Sequence, residues 1–485
     1  MKNQGSIMTP DWVKEAVFYQ IFPDRFAKSG RLAKPVELEV WESPPSGKGF
    51  KGGDLLGVAE RLDYLCELGI NALYFNPIFQ SPASHRYHTF DYFQVDPLLG
   101  GNEALKTLLD QAHQRGIKVI LDGVFNHTGR GFYPFNHVLE NEAASLYCDW
   151  FTIHGFPLRA FENGQPPQYE CWWGLRELPK LNTENPAVRR YLFDAAAHWL
   201  RFGIDGWRLD VPLEIRTCGF WEEFRDVVKG VNPEAYILAE IWNDAPEWLE
   251  GDTFDATMNY RFNRACLGFF GAVDLDTTLQ PGGYALQTMD GPAFAGELEE
   301  MLEIYDWETS QVQFNLLSSH DEPRFLSMVR GNRQRLRLAV LFQMMYPGAP
   351  CIYYGDEVGM MGGLVFGIGS RETFPWQEDL WDVELLHDFQ RFVALRRKHH
   401  ALTKGRFRIL AASGSMIAFL RSGEGENLIG CFNAGTEPAS LVAPLEGDFP
   451  PNGILRDVWS GEVSHCEGGN LITTLPALSA KVWIY

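Results

Sequence analysis

Arg208 and Asp210 stand two residues apart in Gly206-Trp207-Arg208-Leu209-Asp210, and Glu240 closes the apolar run Tyr236-Ile237-Leu238-Ala239, 30 residues after Asp210. On a strand, residues two apart point to the same side. The Arg208 guanidinium is therefore expected to hold the Asp210 carboxyl ionised and to lower its pKa. An ionised, oriented carboxylate is what an attack on an acetal carbon needs. Glu240 precedes Ile241 and Trp242, an apolar setting that raises a carboxyl pKa and keeps a proton available for a leaving group. Two carboxyls separated in this way cleave a glycosidic bond with retention when they lie about 5–5.5 Å apart, and neighbouring strands are about 4.8 Å apart. The competing readings are a surface ion pair and a solvated loop glutamate. Trp207, Leu209 and Val211 around Arg208 and Asp210 weigh against the first, and Asp210 beside Glu240 weighs against the second. A third acid, Asp321, follows His320, and His127 ends Asp122-Gly123-Val124-Phe125-Asn126-His127. Either histidine alone reads as structural, and only a shared location makes them candidates to bind substrate.

Short apolar runs separated by helical patterns supply that location. The runs Ala16–Ile21, Ala72–Phe75, Lys118–Asp122, Gly206–Leu209, Tyr236–Glu240, Phe254–Met258, Val312–Leu317 and Pro350–Tyr354 read as eight parallel strands joined by crossover helices. That number closes a barrel, in which chemistry gathers at the C-terminal strand ends. Between Pro186 and Leu200, Val188, Leu192, Ala195 and Trp199 recur at helical steps, with proline at the first position. The expected fold is α/β: a (β/α)₈ barrel over residues 1–127 and 178–404, an aromatic- and proline-rich domain inserted after the third strand at 128–177, and an antiparallel β-sandwich at 405–485. The sandwich is read from short alternating runs such as Ser415–Leu420 and Asn427–Phe432. Lys28–Gly49, with three prolines, reads as an ordered loop near the barrel mouth.

Composition bounds the partners. The 485 residues carry 63 acidic and 42 basic side chains, a net charge of −21, which repels nucleic acid and anionic lipid and favours a neutral or cationic substrate. Fifteen Trp, 17 Tyr and 34 Phe mostly fill the core, yet their flat faces can also pack against sugar rings. Eight scattered cysteines, with no CxxC pair, imply free thiols in a reducing, cytoplasmic compartment. The stretch from Met1 to Trp12 has no apolar core of a secretory signal, and Leu336–Tyr354 is interrupted by Gln343 and Pro347, short of a membrane span.

The four clusters Asp122–His127, Gly206–Asp210, Glu240 and Ser319-His320-Asp321 resemble, in order and spacing, the four motif regions of the α-amylase family of glycoside hydrolases. Leu178-Pro179-Lys180-Leu181-Asn182 resembles the MPKLN signature of its neopullulanase, cyclomaltodextrinase and maltogenic amylase group. The resemblance implies Asp210 as nucleophile, Glu240 as acid/base and Asp321 as transition-state stabiliser, with Tyr87, His127, Arg208, His320 and Arg371 around the reactive sugar. Glu214, on the leaving-group side, and Trp242 are also expected to bind substrate. It implies retaining hydrolysis of α-1,4 glucosidic bonds, with α-1,6 as a second linkage, in maltodextrins, cyclodextrins, pullulan or branched oligosaccharides. The chain departs from the group at Val211-Pro212-Leu213-Glu214, where Val-Ala-Asn-Glu is usual, so linkage preference and transglycosylation rest on other contacts there. It also reaches its first strand by residue 16, without room for the group's extra N-terminal domain. A monomer, or a dimer not built on that domain, and a more open cleft that admits branched dextrins are expected. Calcium is common in the family and Asn126 resembles one ligand, but no acidic cluster follows the first strand, so no cofactor is expected to be required. The alternatives are a glucanotransferase or trehalose-forming isomerase using the same covalent intermediate, and a catalytically silent sugar-binding homologue.

Overall fold

The computed structural model describes residues 7–162, 164–363, 368–445, 449 and 453–485; residues 1–6 of the N-terminal stretch read above lie outside them. Eight parallel strands, Phe18–Ile21, Ala72–Phe75, Lys118–Gly123, Gly206–Leu209, Tyr236–Ala239, Ala256–Asn259, Phe314–Leu316 and Ala349–Tyr353, close into a barrel in chain order. Phe18 pairs with Ala72 on one side and Cys351 on the other, which seals the ring. All eight runs read from the sequence are strands. The first begins two residues later than read, because Ala16 still donates to the Val13 carbonyl of the preceding turn.

Alternation along each strand sorts side chains into two layers. Phe18, Tyr74, Ile120, Leu238, Met258, Phe314, Leu316 and Cys351 pack together as the barrel interior. Their strand neighbours Tyr19, Leu73, Val119, Leu121, Trp207, Leu209 and Ile237 join the larger core beneath the helices. Each fully buried apolar side chain contributes roughly 1.5–3 kcal/mol, so both faces of every strand are held in place. The helix Pro186–Phe202 shows how its sequence sets its limits. The Asn185 side chain caps it by accepting from Ala187 N, Pro186 opens it, and Gly203 at φ 127° ends it. Its stripe of Val188, Leu192, Ala195 and Trp199 is buried.

The surplus after the third strand folds as a small unit over the mouth. It holds the helix Tyr133–Asn141, short 3₁₀ turns, and an aromatic cluster in which Phe135 meets Phe151 and Tyr169 edge-on at 5.0 and 4.9 Å. Isolated bridges from His127 to Lys180 and from Phe151 to Leu181 tie its two ends together. After the helix Val383–Lys398 the chain turns to antiparallel strands: a six-stranded sheet from Arg406–Ser413 to Ser479–Ile484, and the pair Ala439–Pro444 with Asn470–Leu475. They enclose a separate core that includes Leu420, Ile429, Leu441, Leu471 and Trp483. All eight cysteines are unpaired. Among the described residues no helix is long and apolar enough to cross a membrane.

Candidate active site

The inward parity that fills the barrel with Ile120, Tyr74 and Leu238 continues at the strand ends as Asp122, Asn76 and Glu240, each two residues on. Polar groups thus form the top layer of an otherwise apolar stack. Arg208 lies at its centre, fully buried and in register with Asp122 on the adjacent strand. Its Nη1 donates to both Asp122 oxygens at 2.8 and 3.0 Å and to Asp210 Oδ1 at 3.1 Å, while Nη2 lies 3.0 Å from Glu240 Oε2. One guanidinium therefore gathers three carboxyls from three successive strands.

The electrostatics differ from the sequence expectation at Asp210. Arg208 does pull its carboxyl down, but burial and the adjacent Glu240 outweigh that pull and push Asp210 well above the ordinary aspartate range. Burial is the larger of the two causes, and Arg208, which also serves Asp122 and Glu240, does not overcome it. Burial also raises Glu240, as expected, against the opposing effects of Arg208 and the Val211 N–H. That N–H donates to Glu240 Oε2 at 3.0 Å. It is aimed there by a left-handed backbone at Val211, φ 37° and ψ 52°, an uncommon conformation for a β-branched residue. The two acids thus titrate as a pair.

Asp321 behaves oppositely. Burial in the cleft would raise it, but His320 and Arg371 hold it well below the usual carboxylate range. It is also the most open of the three, its side chain 31% exposed. His320 Nε2 lies 2.9 Å from Asp321 Oδ2, and Arg371 Nη2 donates to Oδ1 at 3.2 Å. Tyr87 locks this group to the first: its ring stacks on His320 at 5.7 Å and 9°, and its hydroxyl lies 2.7 Å from His320 Nε2 and donates to Asp122 Oδ2 at 3.0 Å. His127 is buried with its Nε2 free of protein partners. Burial draws its imidazole down to about 3, so it is neutral at ordinary pH.

Tyr87, His127, Arg208, Asp210, Glu240, His320, Asp321 and Arg371 therefore belong to the barrel mouth. Glu214 is paired with Lys180, just after the inserted segment, at 3.4 Å. Trp242 lies on Tyr260, ring on ring at 3.8 Å and 5°, with the Gly282 backbone against its six-membered ring. A sugar stacked on the Tyr260 face of Trp242 is thus ruled out.

Four residues escaped the sequence reading as site members. Asp122 accepts from Arg208, Tyr74 and Tyr87, while Gln20 and Asn76 hold His320 Nδ1 and the Tyr87 hydroxyl at 3.0 and 3.2 Å. Their signal was the strand parity: Gln20 is two after Phe18, as Asn76 is after Tyr74. Glu322, buried and pushed up to about 8 by burial and Asp321, gave no signal beyond its neighbour. Asn126 is buried with Oδ1 free of a protein partner. Calcium takes six to eight oxygen ligands, and among the described residues no group of three or more His, Cys, Asp or Glu could hold a metal. No step of the reaction below runs through a metal ion.

Exchanging Arg208 for Met tests the centre of the network. Three buried acids then lose their only shared cation, and stability is expected to fall by about 3–5 kcal/mol at pH 7. The pKa values of Asp210 and Glu240, already raised in the folded protein, rise further above the unfolded ones, so the protein binds more protons folded than unfolded. The deficit should therefore shrink as pH falls towards about 4, where the unfolded acids are protonated as well. Urea denaturation of parent and variant at pH 7 and pH 4.5 reads this. A deficit independent of pH would mean that Arg208 acts by packing alone.

Residues 20–383 match the α-amylase catalytic domain, and 407–484 match the neopullulanase-like C-terminal domain. A cyclomaltodextrinase of Geobacillus thermopakistaniensis is 41% identical over 471 residues, 96% of this chain and 76% of that protein. The crystal structure of Ttha1563 from Thermus thermophilus superposes with a TM-score of 0.93 at 49% identity, covering 97% of this chain and 99% of the other. A debranching enzyme from Nostoc punctiforme superposes with a TM-score of 0.89 at 46% identity, covering 99% and 100%.

Proposed function

The chain belongs to the α-amylase family and is a glycoside hydrolase acting on α-glucans, and we propose that it cleaves α-1,4 and α-1,6 glucosidic bonds of linear and branched maltodextrins by double displacement. The observation that carries this reading is the single guanidinium of Arg208 bound to both Asp210 and Glu240. It keeps two acids together in a buried site where both cannot comfortably ionise. In the reaction Glu240 carries the proton and Asp210 is the ionised partner.

Asp210 attacks the anomeric carbon while Glu240 delivers its proton to the glycosidic oxygen. The bond to the leaving sugar breaks, and a glucosyl ester forms on Asp210. Glu240, now ionised, takes a proton from water, whose oxygen attacks the same carbon and releases Asp210. Two inversions give net retention. Asp321, held ionised by His320 and Arg371, stabilises positive charge on the sugar in both transition states. His127 is neutral, so its Nε2 can bind a sugar hydroxyl without adding charge. The likeness to a debranching enzyme over the full length of both chains supports the α-1,6 activity. Eight free thiols support a reducing, cytoplasmic setting.

Incubation with maltohexaose, a cyclodextrin, pullulan and a branched maltodextrin, followed by chromatography and anomeric analysis by NMR, tests this reading. Products of retained configuration from both linkages are expected. Net inversion would refute the double displacement, and intact α-1,6 bonds would restrict the enzyme to α-1,4 linkages. Products longer than the starting dextrin would instead mark a transferase.

A further inference from the structure

Three flat rings lead outward from the reaction centre along the inserted segment. Trp172 lies parallel to His127 at 5.1 Å and 15°, and Trp173 lies parallel to Trp172 at 4.6 Å and 8°. The inner end of this stack is buried, with His127 Nε2 free of protein partners; the outer end, Trp173, is 75% exposed. One face of Trp173 is covered by Trp172, and the ring is otherwise open to solvent.

The turn that carries the two tryptophans is braced. Trp172 N donates to Leu178 O, Leu175 N to Trp172 O, and Gly174 N to Cys171 O. Cys171 bridges Pro179, and Lys180 bridges His127 at the end of the third barrel strand. Trp173 itself has φ 51° and ψ 24°, a left-handed conformation that is a genuine outlier for a bulky side chain. Such a backbone is strained. Burial does not offset the strain here, because most of the indole stays in water.

We propose that the outer face of Trp173 is a stacking site for a glucose unit of a longer or branched α-glucan, away from the unit bound beside His127. A pyranose presents an apolar face of C–H groups to a flat ring, and a neutral polymer suits a protein that carries a net charge of −21. The stack sets the spacing: the face on offer lies two ring separations beyond His127. Its occupant is therefore another unit of the same polymer, and longer substrates fill it more often than short ones. The proposal rests on the reading of the chain as an α-glucan hydrolase.

Trp173→Ala and Trp173→Phe, made in the full chain, test it with maltotriose and maltohexaose. Trp173→Ala should raise KM for maltohexaose by about three- to tenfold, with a much smaller rise for maltotriose and similar kcat on each substrate; Trp173→Phe should recover most of the difference. The same substitutions in a Glu240→Gln background, titrated with both sugars by calorimetry, should weaken binding of maltohexaose selectively. Equal changes for the two lengths, or none, would overturn the site and leave Trp173 as a cover for Trp172. The binding arm decides this independently of turnover. A parent protein that hydrolyses no α-glucan would instead count against the functional reading.

Discussion

Asp210→Asn should lower kcat on maltodextrins by about 10⁴-fold or more while leaving the fold intact. The amide has the size of the carboxyl it replaces, and Arg208 keeps Asp122 and Glu240 as partners, so no buried cation is orphaned. What disappears is the atom that forms the glucosyl ester. Steady-state kinetics with circular dichroism as the control measures the loss. A second measurement identifies the nucleophile directly. An activated fluoro-sugar that forms the ester quickly and releases it slowly should add its glycosyl mass to the peptide containing Asp210 in the parent, and add none in the variant. Mass on another carboxylate, or residual activity above about 1%, would remove Asp210 from this role.

Glu240→Gln separates proton donation from the rest of catalysis. With natural dextrins, whose leaving alkoxide needs a proton, a loss of about 10²–10⁴-fold is expected. With a glucosyl fluoride or a dinitrophenyl glucoside the bond-breaking step needs no proton and should be far less affected. The pH profile carries the same information with a definite sign. Glu240 must be protonated to act, and burial raises its pKa. Activity of the parent should therefore decline as pH rises through a value above the ordinary glutamate pKa of about 4.3, and the variant should lose that alkaline limb. On the acid side, activity falls as the pair takes up its second proton. Both limbs belong to the coupled Asp210–Glu240 pair rather than to either residue alone. A variant that keeps the parent's alkaline limb on natural substrates would show that another group gives the proton.

The architecture of the barrel was legible because its signal is local. Each strand is a short apolar run bounded by helical pattern, and the side that faces inward is fixed by counting in twos from Phe18, Tyr74, Ile120 or Leu238. The same count places Asp122, Arg208, Asp210 and Glu240 on the inner side at the strand ends, so the gathering of these acids follows from periodicity once the barrel closes. It could equally have named Gln20 and Asn76, whose polar types at inward positions are otherwise unexplained. The strand limits were less legible, as at Ala16, where a hydrogen bond to the preceding turn outcompetes the sheet.

The sequence by itself determined which elements form, which residues face the barrel axis, and which acids meet at its mouth, because alternation and spacing are properties of the chain alone. Only the tertiary structure decided how those acids share charge. Burial and the neighbouring Glu240 raise Asp210 despite Arg208, while Asp321 falls because His320 and Arg371 both attend it. The tertiary structure also decided that Trp242 has one face committed to Tyr260 and that Trp173 stands open at the end of a stack. Electrostatic and stacking partners come from distant parts of the chain, and their number and orientation exist only once those parts are packed together.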